Sequence, residues 1–351
     1  MIDVSQVNAG QSTVSDDADL QADRHIHQQG YRVWSGSLES GWTRWIVIAA
    51  AGVRRSWQNQ WLKRMLFFAW VPAILFAIPF FLWEQAALYP EWRPMLTPVL
   101  RALPKTPVFD QIKDAVRDGD FSKSRHTIWA WLLNSFFRYP QAIVMVLVVG
   151  LIAPSLISQD IRSRAFLLYF SRPLTRAEYL LGKMASLWVY LAIISAIPAI
   201  GLYAIGVVLS PSLNVVVATW DVPLRILAAS VVLMLPTSAL ALCLSSMTQE
   251  SRYAGFAWFA VWILSWFTYL AVTTAETFNV QQRMSRQNQI VEIHDSVWTH
   301  LSLYHTLGRV QSWVFGFAKL KDVLASIANL VGVTFVSLGV MFYRISVPMR
   351  V

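Results

Sequence analysis

Six apolar stretches, each long enough to cross a bilayer, constrain the fold of this chain more than any other feature. They cover residues 65–83, 141–157, 184–209, 227–247, 253–272 and 324–343. A membrane-spanning helix needs about 17 to 25 predominantly apolar residues to cover the hydrocarbon core. A helix also satisfies all of its backbone hydrogen bonds within one segment, which lipid cannot do for it. We therefore predict an all-α, polytopic membrane protein with six transmembrane helices.

The composition agrees with a membrane protein. Of the 351 residues, 56% are hydrophobic and 14% are charged, whereas soluble domains have roughly 25% charged residues. The net charge is +9, and the basic residues cluster beside the apolar stretches, where anionic lipid headgroups attract them. No basic stripe with interleaved aromatic residues occurs outside the predicted spans. We expect contacts with membrane lipids and no nucleic-acid partner.

The loops between the predicted spans set the orientation in the membrane. The loop 158–183 has five basic and two acidic residues, whereas the loop 210–223 has neither lysine nor arginine. Short loops rich in lysine and arginine stay in the cytoplasm. We therefore expect 158–183 on the cytoplasmic side, 210–223 on the outer side, and both termini in the cytoplasm.

Two segments precede the first predicted span. Residues 1–42 are polar and lack the basic start and apolar stretch of a secretory signal, which predicts a flexible cytoplasmic tail. The remainder, 43–351, is predicted to form one transmembrane domain. It begins with TRWIVIAAAGVRRSWQNQWLKR (43–64), whose apolar part is too short to span, so we expect an interfacial helix on the inner leaflet. A seventh, poorly formed span is the alternative.

Two long loops, 84–139 and 273–322, fall on the outer side in this topology. The first contains PVFDQIKDAVRDGDF, whose apolar residues recur at helical spacing and predict a short amphipathic helix. The second contains SVWTHLSLYHTLGRVQSWVFGF, which is apolar enough to fold back onto the membrane surface. The histidines of this second loop do not share one helical face, so we expect no metal site. Both loops are long enough to form small caps.

Motifs for catalysis or nucleotide binding are absent from the sequence. It contains no GxxxxGK[ST], HExxH or GxSxG, the patterns of a phosphate-binding loop, a zinc protease and a nucleophile elbow. The predicted spans are nearly free of ionisable side chains, which ion-driven transporters use as relays. These absences argue against an enzyme and against ion-driven transport. Energy for any transport would then come from another chain.

Three tryptophans recur every fourth residue in the fifth predicted span. Trp258, Trp262 and Trp266 therefore form one stripe along a helix. The stripe is either a wall of the path for an amphipathic or lipid-like substrate, or an ordinary surface for helix packing and lipid contact.

The segment 170–183, FSRPLTRAEYLLGK, has the pattern of a turn followed by a capped helix. Thr175 and Glu178 are spaced as a capping box, in which each side chain bonds to the backbone amide of the other residue. A helix is therefore expected to begin at Thr175 and to continue through Gly182 into the third span.

A sharp turn is predicted directly before that helix, at Ser171-Arg172-Pro173. Pro173 disfavours helical geometry at Arg172. Upstream of the turn, residues 160–170 (DIRSRAFLLYF) are predicted to form a short helix. Since little slack chain separates the two helices, a push on the short helix is expected to move the third span.

The run SQDIRSRAFLLYFSRPLTRAEYLLGK (158–183) resembles the permease subunits of ABC-2 type transporters. Members of that family have an acidic residue, a basic residue, a leucine-rich stretch, Ser-Arg-Pro-[Ile/Leu]-[Ser/Thr]-Arg and a Gly-Lys pair. The matching positions are Asp160, Arg162 to Arg164, Leu167 and Leu168, Ser171 to Arg176, and Gly182 with Lys183. The six spans and the basic helix before them extend the resemblance to about residues 43–350. The sequence departs from the family at 161–165, where relatives often have Glu-Lys-Gly-Thr.

The resemblance implies a division of labour between chains. A permease of this family forms half of a translocation pathway, pairs with a second permease, identical or homologous, and couples to two separate ABC ATPase subunits. ATP and Mg would bind to those ATPases, and this chain would bind no cofactor. The expected location is the bacterial inner membrane, and the expected direction of transport is export.

The resemblance also implies that the cytoplasmic segment 158–183 couples to the ATPase. The coupling residues would be Asp160, Arg162, Arg164, Phe166, Tyr169, Arg172 and Arg176. The arginines would meet acidic groups of the ATPase, and the aromatic side chains would be anchors of the kind that dominate interfaces. Lipid-headgroup binding is the other interpretation of the arginines.

The alternative function is that of a membrane subunit that does not transport. It would anchor or recruit other proteins, with the loops 84–139 and 273–322 as docking sites. ATP-dependent flux into vesicles would distinguish the two functions.

Overall fold

The computed structural model describes residues 43–104, 107–165, 169, 174–287 and 297–346, which all belong to the unit that begins at residue 42. Within these residues the regular structure is helical, without a strand. The α-helices in chain order are α1 Arg44–Trp57, α2 Gln60–Phe68, α3 Val71–Leu88, α4 Thr97–Ala102, α5 Pro107–Asp118, α6 Phe121–Phe136, α7 Ala142–Arg162, α8 Arg176–Ile194, α9 Ala196–Leu209, α10 Asn214–Ala218, α11 Asp221–Met247, α12 Ser251–Gln287, α13 Leu303–Val314 and α14 Leu320–Ser346. The predicted tail, 1–42, lies outside the described residues.

Six helical stretches among the described residues are long and apolar enough to cross a membrane. They are Gln60–Leu88, Phe121–Arg162, Arg176–Leu209, Asp221–Met247, Ser251–Ala275 and Leu320–Ser346. Each predicted span lies inside one of them. The prediction of an all-α fold with six spans is confirmed.

The second span begins some way before the predicted boundary. Helix α6 continues through a π-helical turn, Phe137–Gln141, into α7, so one helical stretch covers Phe121–Arg162. Pro140 lies within the π turn, where the wider winding tolerates a residue that cannot donate a backbone hydrogen bond. Most of the predicted outer loop 84–139 is therefore helical, and much of it belongs to the bundle. The amphipathic helix predicted within that loop is present as α5, with Phe109, Ile112 and Val116 buried.

The predicted interfacial helix 43–64 is two helices in the structure. Helix α1 ends at Trp57, and α2 begins at Gln60 after Asn59, whose side chain accepts a hydrogen bond from the Trp61 amide at 2.9 Å. An asparagine that caps a new helix in this way competes with continuation of the old one. Residues 60–64 therefore belong to the first membrane-spanning stretch and not to the helix that precedes it.

The second predicted outer loop, 273–322, also contains buried structure. Helix α13 packs against α11 and α14, with Leu303, Leu307 and Val310 buried between them. The amphipathic pattern of this segment is thus satisfied by neighbouring helices of the bundle and not by folding onto the membrane surface.

The bundle has two ends with different chemistry. At one end, Arg344 donates a hydrogen bond to Met247 O, and Arg176 donates one to Ser346 Oγ. We call this the motif end, because the described parts of the 158–183 run, at the end of α7 and the start of α8, lie there. At the other end, which we call the far end, α11 begins at Asp221. The 27 residues of α11 connect the two ends over about 40 Å at 1.5 Å per residue.

Candidate functional site

At the motif end, α7 ends in a tight hydrogen-bonded turn around Arg164. The Ala165 amide donates to Asp160 O at 3.0 Å, and the Arg164 amide donates to Ile161 O at 3.2 Å. Arg164 has a φ of 53°, a left-handed conformation that glycine usually supplies at this position of a helix end. The turn therefore places an arginine, with its side chain exposed, where the chain leaves the bundle.

Helix α8 begins with the capping box that the sequence pattern predicts. The Thr175 hydroxyl accepts a hydrogen bond from the Glu178 amide at 3.2 Å, and Glu178 Oε2 accepts one from the Thr175 amide at 2.7 Å. The capping box thus satisfies the amides of Thr175 and Glu178 at the start of the helix. The chain consequently leaves α7 and enters α8 through two well-defined helix ends.

A buried ion pair joins these two helix ends. Lys183 Nζ lies 2.6 Å from Asp160 Oδ2, and it also donates to Leu156 O at 2.7 Å. Tyr179 donates its hydroxyl proton to the same Asp160 oxygen at 2.7 Å. Asp160 is 3% exposed and Lys183 is 6% exposed. A buried ion pair is costly to separate, because either partner alone is left as an uncompensated charge. The cluster therefore holds α7 and α8 together next to the turn.

Gly182 allows α1 to lie directly against α8. A Cβ atom at Gly182 would come within 2.8 Å of Trp45 O and 2.7 Å of Ile48 Cβ. Further along the same face, Ser186 donates to Ala49 O at 3.1 Å, and Tyr190 donates to Val53 O at 2.7 Å. The two helices thus run side by side in the same direction. The two residues of the Gly-Lys pair thus have separate roles. Gly182 allows α1 to pack closely against α8, and Lys183 binds to α7.

The other predicted coupling residues are distributed around the turn. Arg162 and Arg176 are exposed, and each contacts the end of another span: Arg162 Nη1 lies 3.2 Å from Glu250 Oε1, and Arg176 donates to Ser346 Oγ at 2.6 Å. The half-buried Tyr169 ring lies 5.7 Å from the ring of Tyr179. Phe166, Ser171, Arg172 and Pro173 lie outside the described residues.

Two sequence interpretations need correction at this site. Asp160 and Arg162 belong to the last turns of α7, so no separate helix begins at residue 160. Asp160 is buried and bonded to Lys183 and Tyr179, so its carboxylate is not available to contact a partner. The reason is tertiary, because the lysine that neutralises it comes from the following helix.

The tryptophan stripe of α12 does not form one continuous wall. Trp258 and Trp262 are buried with their ring centroids 5.5 Å apart, whereas Trp266 is 49% exposed. Trp258 Nε1 donates to Val146 O of α7 at 2.8 Å. For Trp258 the contact is therefore helix packing, the second of the two interpretations of the stripe.

Sequence reasoning missed two polar clusters at the far end. Arg125 makes two hydrogen bonds of 3.0 Å to the fully buried Glu84, and Trp129 Nε1 donates to the same carboxylate at 3.1 Å. Nearby, Asp221 lies 2.9 Å from His126 Nε2 and 2.7 Å from Arg225 Nε. The spans are thus less free of ionisable side chains than predicted. Glu84, Asp221 and Arg225 lie a few residues beyond predicted boundaries, and Arg125 and His126 lie in the first part of the second span, which the prediction left out. Among the described residues, no group of histidine, cysteine and carboxylate side chains is placed to hold a metal ion.

Comparison with protein families supplies the identity that the geometry alone does not. The model of a family described as "ABC-2 family transporter protein" matches residues 5–347. Comparison with curated proteins found no match, and neither did comparison with solved structures. The family match covers nearly the whole chain, including all six spans and the 158–183 run. The chain therefore belongs to the ABC-2 transporter family, whose members are the membrane permeases of ABC transporters.

Proposed function

We propose that this permease binds its ATPase through the segment between α7 and α8, residues 163–175, which we call the α7–α8 turn, and that ATP hydrolysis moves these two helices to drive export. Membership of the family implies association with ABC ATPase subunits. The contact through this turn, the direction of transport and the pairing with a second permease are proposals that rest on the resemblance of the 158–183 run to ABC-2 permeases. ATP and Mg would bind to the partner ATPase.

The observation that carries the proposal is the buried contact that joins the end of α7 to the start of α8. Two helix ends with capping hydrogen bonds border the turn. The Asp160–Lys183 ion pair, together with Tyr179, ties those ends to each other within two turns of helix. A force on the turn would therefore displace α7 and α8 together, with α1 following α8. We assign Asp160 to this connection and not to the ATPase contact.

The charge around the turn supports a partner with acidic groups. Arg162, Arg164 and Arg176 are exposed at the motif end. Arg162 at the end of α7 and Arg176 at the start of α8 also reach Glu250, just before α12, and Ser346 of α14, so a partner that binds them lies beside the ends of four spans. An arginine cluster attracts a complementary acidic surface and sets the orientation of docking.

The surface of α12 supports a second membrane partner. In the most apolar part of Ser251–Ala275, 11% of the residues are buried within the chain. The corresponding share is 61% in both Phe121–Arg162 and Asp221–Met247. An apolar helix with so little burial faces either lipid or another apolar helix. We propose that a second permease covers part of this face in the working complex.

Charge reversal at Arg164 tests the ATPase contact. We expect Arg164→Glu to reduce the amount of co-purifying ATPase by about tenfold or more, because an interfacial charge of the wrong sign costs several kcal/mol. Arg164→Gly is the matched variant: glycine suits the left-handed conformation, so it removes the guanidinium and keeps the turn. We expect it to lose less ATPase than the glutamate variant. The measurement is the ratio of ATPase to permease after purification from the native membrane.

Arg101→Glu is the control for charge reversal as such. Arg101 is exposed on α4, in the predicted outer loop, and its reversal should leave the ATPase bound. Full retention of the ATPase by both Arg164 variants would show that the turn is not the contact. If the chain is a non-transporting anchor that docks proteins through its outer loops, the opposite pattern is expected. Arg101→Glu would then release the co-purifying protein, and the Arg164 variants would retain it.

A further inference from the structure

A cavity of about 330 Å³ lies between α1 and α7 at the motif end. One face of α1 and the second half of α7 form most of its lining, and Asn59, Leu62, Tyr169 and Lys183 complete it. Small-molecule sites in proteins have volumes of about 300–1,000 Å³. The cavity is therefore large enough to hold a ligand of the size of a lipid headgroup.

The packing of α1 explains why this space is open. On its α8 side, α1 accepts a hydrogen bond from Ser186 at Ala49 O, and a Cβ atom at Gly52 would overlap the Ser186 side chain. On its α7 side, the same Cβ atom would lie 3.8 Å from Leu156 Cδ2, which is an ordinary contact distance. Helix α1 thus packs more closely against α8 than against α7, and the cavity occupies the wider gap.

One part of the lining is apolar. Val47, Ile48 and Ala51 of α1 face Leu151 and Ile152 of α7 across the cavity. Val47 is 59% exposed, and Ile48 and Leu151 are half-buried, so this part is open to the surroundings of the bundle. Because α1 is the helix predicted to lie along the inner leaflet, acyl chains of the membrane are within reach of it.

The other part of the lining carries hydrogen-bond donors. Among the described residues, the guanidinium group of Arg55 has no carboxylate or other acceptor, and the side-chain amide of Gln159 makes no hydrogen bond. The side chain of Asn59 uses its oxygen to accept from the Trp61 amide at 2.9 Å, which leaves its NH₂ group for another acceptor. Three donor groups from two sides of the cavity can therefore bind the same ligand.

The charges of the cavity favour an anion. Arg55 and Lys183 are cationic, whereas Asp160 is the one carboxylate among the described lining residues. That carboxylate is already bonded to Lys183 at 2.6 Å and to Tyr179 at 2.7 Å. Burial and the charge of Asp160 raise the pKa of Tyr169, and the charge of Arg55 opposes that rise, so Arg55 acts on this wall. The described lining thus has one positive charge in excess.

We propose that this cavity binds an anionic phospholipid of the leaflet at the motif end, with its phosphate group on Arg55 and Gln159 and an acyl chain along Val47 and Leu151. The planar, forked guanidinium group suits phosphate oxygens in particular. A zwitterionic lipid brings a cation of its own and leaves the excess charge of the cavity in place. The lipid would fill the gap between α1 and α7. This site goes beyond the proposed function, since neither the ATPase nor transport is part of it.

Lipid binding to the purified full-length chain in a neutral detergent tests the site. The probe is a fluorescent phosphatidylglycerol, compared with a phosphatidylcholine of the same chains. We expect phosphatidylglycerol to bind more tightly, and Arg55→Gln to weaken its binding by about tenfold, the usual effect of losing one charge-assisted hydrogen bond. Arg54→Gln is the matched control, because Arg54 is the neighbouring exposed arginine of α1 and does not line the cavity. It should bind phosphatidylglycerol as the unchanged chain does.

A second variant, Ala51→Phe, fills the cavity and keeps every charge. Ala51 lines the cavity and is exposed on α1, so the larger ring replaces ligand without displacing a buried side chain. We expect this variant to bind phosphatidylglycerol as weakly as Arg55→Gln does. Thermal unfolding without added lipid shows that each variant is folded.

Four results would overturn the proposal. Equal weakening by Arg54→Gln and Arg55→Gln would show that the lipid follows the general charge of α1. Equal binding of the two lipids would show that the headgroup charge is not recognised, and unchanged binding by folded Ala51→Phe would place the lipid elsewhere. Full displacement by glycerol phosphate at low millimolar concentration would assign the cavity to a free anion. Because the chain is tested without its ATPase, none of these results depends on a contact at Arg164.

Discussion

Lys183 is the residue on which the connection between α7 and α8 depends. Its ammonium group is buried, so it has exchanged water for Asp160 Oδ2 at 2.6 Å and Leu156 O at 2.7 Å. Desolvation opposes this arrangement and the short contacts favour it. The balance holds only while both partners are present, which makes the pair sensitive to any single change.

A double-mutant cycle measures this coupling. We expect Lys183→Met and Asp160→Asn each to destabilise the bundle by about 3–5 kcal/mol, because each leaves one buried charge uncompensated. The double variant should lose clearly less than the sum of the two changes. The free energy of unfolding in detergent is the quantity to compare.

The exposed pair of Lys123 and Asp120 provides the control for the cycle. Its atoms lie 2.7 Å apart, with the lysine side chain 82% exposed. Lys123→Met should have no measurable effect on stability, since water solvates both charges of an exposed pair. Additive effects of Lys183→Met and Asp160→Asn would contradict the assignment of a coupled, buried ion pair.

Whether a contact between two side chains can be predicted from the sequence depends on how far apart the two residues lie along the chain. Thr175 and Glu178 are three residues apart, so their capping box follows from local geometry alone. Asp160 and Lys183 pair only because α7 and α8 lie side by side. Local reasoning therefore placed Asp160 at the surface, whereas the folded chain buries it.

At the scale of helices, the packing of α1 against α8 gives the motif glycine a definite role. The closest approach is at Gly182, where a Cβ atom would meet the backbone of α1. Gly201 of α9 lies in the same span, yet a Cβ atom there would meet nothing within 4 Å. The two glycines thus lie in the same span but in different environments: one is closely packed and the other is not.

Alanine at these two glycines should change stability in opposite directions. Gly182→Ala is expected to destabilise the protein by about 1–3 kcal/mol, because α1 must shift to make room. Gly201→Ala is expected to stabilise it by up to about 1 kcal/mol, because alanine favours the helix more than glycine does. Thermal unfolding of both variants in the same detergent checks the signs. A gain in stability for Gly182→Ala would contradict the close packing of α1 on α8.

The helices themselves were predictable to different degrees. The apolar stretches gave all six spans, because bilayer thickness sets their minimum length. The start of the second span was hidden by Lys123, Arg125 and His126, which interrupt the apolar pattern. The latter two have their carboxylate partners on α3 and α11, and no local pattern could indicate this.

On the scale of the whole molecule, the bundle separates two kinds of chemistry. Exposed arginines lie where α7 ends and α8 begins at the motif end, and a cavity of about 660 Å³ lined by arginines and aromatic rings opens at the far end. The cavity could not be predicted from the sequence, because Arg138, Arg225 and Arg309 belong to three separate segments. The capping box at the start of α8 could be predicted, because its residues are adjacent in the chain, whereas the predicted turn at Ser171-Arg172-Pro173 lies outside the described residues and stays a prediction. Helices such as α11 connect the two ends directly.

Site-specific photo-crosslinking in the native membrane tests the central claim, that the α7–α8 turn contacts the ATPase, most directly. A photoreactive amino acid is placed at position 164 of the full chain and, in a separate variant, at position 101. We predict an adduct between position 164 and an ABC ATPase, identified by mass spectrometry, and no such adduct from position 101. An ATPase adduct from position 101, or none from position 164 in a complex that still contains the ATPase, would contradict the account.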